Sequence, residues 1–185
     1  LAKQRGAASE TFYSDNVEEL LNADEVWCTG LTEAWGEVNR LGKRVIEAGK
    51  RFRVGGHHAT ALPWTLSWGE AYPGAYENIA DIDHSPLPDW DVFPDFSSKR
   101  AMLVTSYGCP FACRFCSSKA FWKGYVTKSP MRIVSEIRDL ADRGVSDIIL
   151  FDDLFTARVK HLREVVERVE AEGLNSLTYS CLVRA

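Results

Sequence analysis

The stretch "SYGCPFACRFCSSKAF", Ser106 to Phe121, places cysteines at 109, 113 and 116. The chain of 185 residues has five cysteines, so three of them crowd into one loop. Thiolates are soft ligands that suit iron–sulfur clusters and zinc. A structural zinc site wants four closed ligands, usually as two separated pairs. Here there is one C-x3-C-x2-C triplet, and Cys28 and Cys181 stand singly in strands, where they read as small buried hydrophobes. A cubane cluster held by three cysteines leaves one iron free for another ligand. Ferredoxin-like carriers usually use four cysteines per cluster.

The sequence around the triplet alternates strand and helix. "RAMLVTS" (100–106) is a strand leading into the cysteine loop. Ser129 caps a helix that has Pro130 at its first position, Ile133, Val134, Ile137 and Leu140 as its inner stripe, and Gly144 at its end. "DIILF" (147–151) is uniformly apolar, as a strand covered on both faces would be. Thr156 caps a second helix, with Val159, Leu162, Val165, Val166 and Val169 inward and Gly173 at its stop. "SLTYSCLV" (176–183) is a third strand. This βαβαβ pattern opens a parallel sheet or (β/α) barrel, whose chemistry gathers at the C-terminal ends of strands. The cysteine loop, Asp152, Asp153 and Arg184 all lie at such ends.

Upstream, "ETFYSDN" (10–16) reads as a short strand and "VEELLNA" (17–23) as a short helix. "EVWCTGL" (25–31) is a buried strand. Thr32 caps a helix whose apolar positions are Trp35, Val38, Leu41, Val45 and Ile46, and Gly49 stops it. "RFRVGG" (51–56) is another strand, ending in a glycine pair that permits a tight turn and close approach of a ligand. Residues 61–99 hold five of the seven prolines, so regular structure is not expected there. Trp64, Trp68, Trp90, Phe93 and Phe96 suggest an ordered crossing pinned by buried rings. The expected organisation is therefore 1–62, a crossing over 63–99, and 100–185.

Net charge is −4, with no basic excess to suggest nucleic acid. No apolar run approaches the roughly 20 residues of a membrane span, and no signal peptide opens the chain. The expected location is cytoplasmic, where clustered cysteines are metal ligands or catalytic groups rather than disulfides. A start at Leu1 and an end in a strand suggest an excerpt of a longer protein. A strand edge left open there would make it aggregate or need a partner.

"CPFACRFC" resembles the cluster-binding loop of the radical S-adenosylmethionine (SAM) enzymes, CxxxCx-aromatic-C, with Phe115 at the aromatic position. The resemblance implies a 4Fe–4S cluster on Cys109, Cys113 and Cys116, with SAM chelating the fourth iron. Reductive cleavage of SAM there gives a 5'-deoxyadenosyl radical. Phe115 would sit by the adenine. Asp152 and Asp153 in "FDDLFT" would hold the SAM amino group, and Arg184 its carboxylate. Each has a plainer reading as well. The aspartates suit a helix N-terminus, Arg184 a surface charge and Phe115 ordinary packing. Arg114, Lys119 and Lys123 read as local charge balance.

"VGGHHAT" (54–60) and the "DIDHSPLPDWDVFP" crossing are similar to radical SAM proteins with an N-terminal cobalamin-binding domain. Gly55, Gly56, His58 and Thr60 match that domain's GG-x-H-A-T-like stretch, although His57 and His58 also read as polar loop residues. No D-x-H-x-x-G motif occurs. The implied fold is α/β: a partial Rossmann-like cobalamin-binding domain, then the first βαβαβ part of a radical SAM barrel. The implied activity is cobalamin-dependent methyl transfer, or radical rearrangement or cyclisation of a small metabolite. A reductase, flavodoxin or ferredoxin would donate the electron. The alternatives are an inactive truncated fragment, an iron–sulfur electron carrier without SAM chemistry, and methylthio transfer.

Overall fold

The computed structural model describes residues 14, 16–72, 79–90, 99–116, 118–122 and 124–184. The expected strand over 10–16 lies largely outside them. Contacts divide the chain into two units, Leu1–Ala75 with Trp90–Pro94 and Tyr76–Asp89 with Asp95–Ala185. The crossing over 63–99 is thus shared between the units.

In the first unit, α1 (Val17–Leu20) starts where the Asn16 side chain accepts the Glu18 N–H. β1 (Glu25–Thr29), α2 (Trp35–Glu47) and β2 (Arg51–Gly55) form a parallel unit in which Thr29 pairs with Gly55. α3 (Gly56–Ala61) follows at once, and β3 (Glu70–Ala71) adds a third parallel strand. That strand corrects the expectation of no regular structure in the proline-rich stretch. Its residues 70–71 fall in a proline-free window, so their N–H groups are available to pair.

Val26, Trp35, Val38, Val45, Phe52, Val54 and Ala59 make the core, with Leu41, Ile46 and Cys28 packed against it. The helical stripe of α2 is as its spacing predicts. β1 is buried on one face only, because Trp27 on the other is exposed. On that face Arg53 lies between Glu25 and Glu70, at 3.2 and 3.3 Å, and 5.3 Å from the ring centres of both Trp27 and Tyr72. Thr32 does not cap α2. The chain enters the helix through a 3-10 turn, Thr32–Ala34, and the Thr32 hydroxyl is engaged elsewhere. Trp64 is 75% exposed and Trp68 is also exposed, so neither pins the crossing as a buried ring. Phe93 and Phe96 lie outside the described residues.

In the second unit, β4 (Arg100–Leu103), β7 (Asp147–Leu150) and β8 (Thr178–Cys181) form a parallel sheet with β7 in the middle. The predicted strand over 100–106 splits. β5 (Ser106–Tyr107) leaves the sheet and pairs antiparallel with β6 (Val126–Thr127). Between them lie the cysteine loop and α4 (Ser118–Phe121).

α5 (Pro130–Asp142) is capped as predicted, with the Ser129 hydroxyl accepting the Arg132 N–H at 3.2 Å. Ile133, Val134, Ile137 and Leu140 are all buried. α6 (Val159–Ala171) packs beside α5, and Arg138 ties the two by bonding the Glu172 carboxylate and carbonyl, both at 2.8 Å. α6 buries Val165 and Val169, while Val159 and Val166 are exposed. Thr156 lies inside a 3-10 turn and does not cap it. Ile148 and Leu150 are buried, but Ile149 is half-buried and Phe151 exposed, so β7 is closed on one face only. Cys181, expected inside, is exposed.

Where β6 leads into α5, this unit holds an ion triad around a buried carboxylate. Glu136, 2% exposed, accepts from Lys128 Nζ at 2.6 Å and from Arg132 Nε at 2.5 Å. Arg132 also donates to the carbonyls of Asp83 and Pro86, and Ser129 N–H donates to the Asp83 carboxylate. Burial would raise the Asp83 carboxyl, but the hydrogen bonds from Ser129 and the nearby Arg132 charge hold it below its ordinary value.

Candidate functional site

The cysteine loop rises from the C-terminal end of β4, beside the C-terminal end of β7. The β5–β6 ladder pinches its base, and Lys128 N–H donates to Thr105 O at 2.8 Å. Gly108 makes the turn into the loop with a φ of 77°. A Cβ there would lie 2.1 Å from the Gly124 carbonyl oxygen, so glycine is required on both counts. Tyr107 and Trp122 brace the same level, with ring centres 4.9 Å apart.

Cys109, Cys113 and Cys116 are all free thiols, the first two half-buried and the third exposed. Cys116 N–H donates to Cys113 O at 3.2 Å, which turns the loop back on itself. Among the described residues, no group of three His, Cys, Asp or Glu side chains forms a shell for a single metal ion. A cubane sets its thiolate ligands on separate iron corners. Three free soft donors in one loop, with no fourth cysteine beside them in sequence, fit a cluster with an open iron.

Asp152 and Asp153, just past the end of β7, are in different states. Asp152 is 2% exposed, and Oδ1 accepts the N–H groups of Thr105 and Ser106, at 2.6 and 3.0 Å. Its Oδ2 accepts the Thr105 hydroxyl. Asp153 is exposed, and its Oδ2 accepts the hydroxyl of buried Ser118. Asp152 is therefore filled from within the protein, and Asp153 is the carboxylate with acceptor capacity left.

Phe115 is 93% exposed, so the reading as ordinary packing does not hold. Arg184 is not an isolated surface charge, because its guanidinium lies 4.5 Å from the ring centre of Phe111 in the cysteine loop. Tyr125 was not anticipated. Burial raises its phenol, the Ser106 hydroxyl opposes that, and Asp152 and Cys109 act on it from nearby. Thr105, Ser118 and Tyr125 are common residues in unremarkable contexts, and only Gly108, directly before Cys109, carried a sequence signal.

In the first unit, Gly55 and Gly56 stand where β2 ends. Gly56 has a φ of 91°, and a Cβ there would meet Thr29 Oγ1 at 2.3 Å. The close approach is thus to the neighbouring strand. Gly55 is more open, with only the Tyr72 carbonyl 3.8 Å from a would-be Cβ. Thr60 donates its hydroxyl to Gly56 O at 2.8 Å. His58 is 8% exposed and stacks on Trp35, with ring centres 4.0 Å apart. Its Nδ1 meets Thr32 Oγ1 at 3.0 Å and its Nε2 meets Thr65 Oγ1 at 3.1 Å. With both nitrogens engaged, His58 holds the turn from inside and is not a free polar loop residue.

A parallel sheet carrying a thiol loop at the end of its first strand defines a class of cofactor-binding α/β domain. The chain matches the model of the Radical SAM superfamily over residues 103–183. It is 34% identical over 104 residues to an uncharacterized methyltransferase of Pyrococcus horikoshii, covering 52% of this chain and 23% of that protein. It is also 34% identical over 108 residues to the anaerobic magnesium-protoporphyrin IX monomethyl ester cyclase of Cereibacter sphaeroides, covering 54% of this chain and 18% of that one. The chain thus spans about a fifth of the length of these relatives. In fold it is similar to the radical SAM methyltransferase TsrM of Kitasatospora setae, solved with cobalamin and a 4Fe–4S cluster bound. That likeness has a TM-score of 0.65 at 14% identity, over 88% of this chain and 46% of the other. No helix among the described residues is long and apolar enough to cross a membrane.

Proposed function

We propose that this chain is the cofactor-binding part of a radical SAM enzyme, with Cys109, Cys113 and Cys116 as the protein ligands of a 4Fe–4S cluster. The observation that carries the reading is the set of three free thiols in one braced loop at the end of β4. When bound, the cluster and SAM supply a 5'-deoxyadenosyl radical by one-electron reductive cleavage. Asp153 accepts a hydrogen bond from the SAM ammonium group, because Asp152 has its oxygens filled. Phe115 presents an exposed ring to the adenine, and Arg184, held over Phe111, presents its cation to the carboxylate.

The reaction we propose is cobalamin-assisted methyl transfer, or radical rearrangement or cyclisation, on a small metabolite. A methyltransferase and a cyclase among the relatives support this range. Cobalamin would meet the first unit at the end of its parallel sheet, where doubly wound folds take their ligands. Gly55 leaves backbone open there, while Thr60 and His58 hold the turn. A flavodoxin, ferredoxin or reductase would deliver the electron.

The test is anaerobic reconstitution with iron and sulfide, then reduction and EPR with and without SAM. A 4Fe–4S signal that shifts on adding SAM is expected. A signal indifferent to SAM would turn the reading to an electron carrier. Cys113→Ala should abolish the cluster, and a variant that still bound a full one would overturn the ligand assignment.

A further inference from the structure

We infer that Asp152 and Asp153 are positioning residues that grip the two stems of the cysteine loop, one stem each, and set the loop before any cofactor binds. The three cysteines lie between Ser106 and Ser118. Asp152 holds the entering stem through the N–H groups of Thr105 and Ser106 and the Thr105 hydroxyl. Asp153, the next residue, holds the leaving stem through the Ser118 hydroxyl. Two adjacent residues at the end of the central strand therefore fix the span between the loop's ends.

The physical case is clearest at Asp152. A carboxylate this buried is tolerated only when its oxygens are filled. Among the described residues its partners are N–H and O–H donors and no cation, so it resembles an anion seated in a small cradle of backbone amides. That cradle ties residues 105 and 106 to β7 just where β5 leaves the sheet. Asp153 is exposed and makes the weaker grip, so the leaving stem is the half that can yield. The grip on the loop does not require the cluster reading. Its effect on cofactor retention does rest on that reading.

The full chain without cofactor tests it by amide hydrogen exchange. Asp152→Ala should speed exchange at the Thr105 and Ser106 amides by about tenfold or more, because each loses its acceptor. Asp152→Asn should restore most of the protection, since its Oδ1 can accept both amides. Asp153→Ala and Ser118→Ala should each loosen the Trp122 amide, which bonds to Ser118 O at 2.9 Å. The double variant should loosen it no further than either single one.

Iron bound after reconstitution is the second readout, and it should fall most in Asp152→Ala and less in Asp153→Ala. Unchanged exchange in both alanine variants would overturn the inference. If Asp152→Ala fails to fold, the exposed Asp153–Ser118 pair carries the test alone, and additive effects there would overturn it. Faster exchange in the variants of a chain that takes up no cluster would support the grip and sink the cluster reading instead.

Discussion

The Nδ1 atom of His58 lies 3.0 Å from the hydroxyl of Thr32, 26 residues earlier in the chain. With Thr65 on the other nitrogen, one ring joins the entry to α2, the helix after β2 and the turn beyond it. His58→Leu keeps the bulk against Trp35 but loses both bonds. It should lower the stability of the first unit by about 1–3 kcal/mol. Urea denaturation followed by tryptophan fluorescence would show it, and a midpoint unchanged from wild type would refute the structural role.

Gly108 predicts a local failure with a distant consequence. Alanine there meets the Gly124 carbonyl and must hold a left-handed φ. The loss should be about 3 kcal/mol or more. Hydrogen exchange should show the β5–β6 amides opening first, with the α5 amides protected longest.

Glu136 sits between two cations in the second unit. Glu136→Gln leaves Lys128 and Arg132 sharing a buried site without a balancing charge. Removing one partner from a buried ion group typically costs about 3–5 kcal/mol. Replacing Lys128, Arg132 and Glu136 together with apolar residues should be much milder than the single change. Thermal unfolding of the two variants compares them directly.

His161 predicts a pH slope. Burial and the Arg158 charge lower its imidazole below the ordinary value of 6.5, and Glu164, Asp152 and Asp83 oppose that only in part. Among the described residues its buried Nε2 has no hydrogen-bond partner. Protons therefore bind the unfolded chain more readily than the folded one. Stability is full above about pH 6.5 and declines as pH falls toward the folded value. His161→Leu should flatten that slope, which denaturation midpoints between about pH 5 and 7.5 would record.

Asp83 predicts a second loss in stronger acid. Its carboxyl is held low, so its contribution is present above the ordinary carboxylate range and disappears as pH falls through the lower folded value. Asp83→Asn should remove this acid step and, because the Asp83 charge opposes the lowering of the His161 imidazole, deepen the His161 slope slightly.

The sequence alone determined the soft-ligand triplet, the parallel βαβ order and the buried stripes of α2 and α5. Each of these is a local pattern: a spacing of thiols, a helical period, a proline at the first turn after a capping serine. It misjudged Thr32 and Thr156, because a threonine before a helix can cap it or serve another partner, and only the neighbouring elements decide which. It also read β1 as buried and β7 as covered on both faces, because an apolar run does not say how many layers pack on it. Tertiary structure alone decided the tandem aspartates. Asp152 and Asp153 are chemically identical neighbours in the chain. One is buried against Thr105 and Ser106 and the other exposed beside Ser118, and that division depends on which strand ends the fold brings beside them.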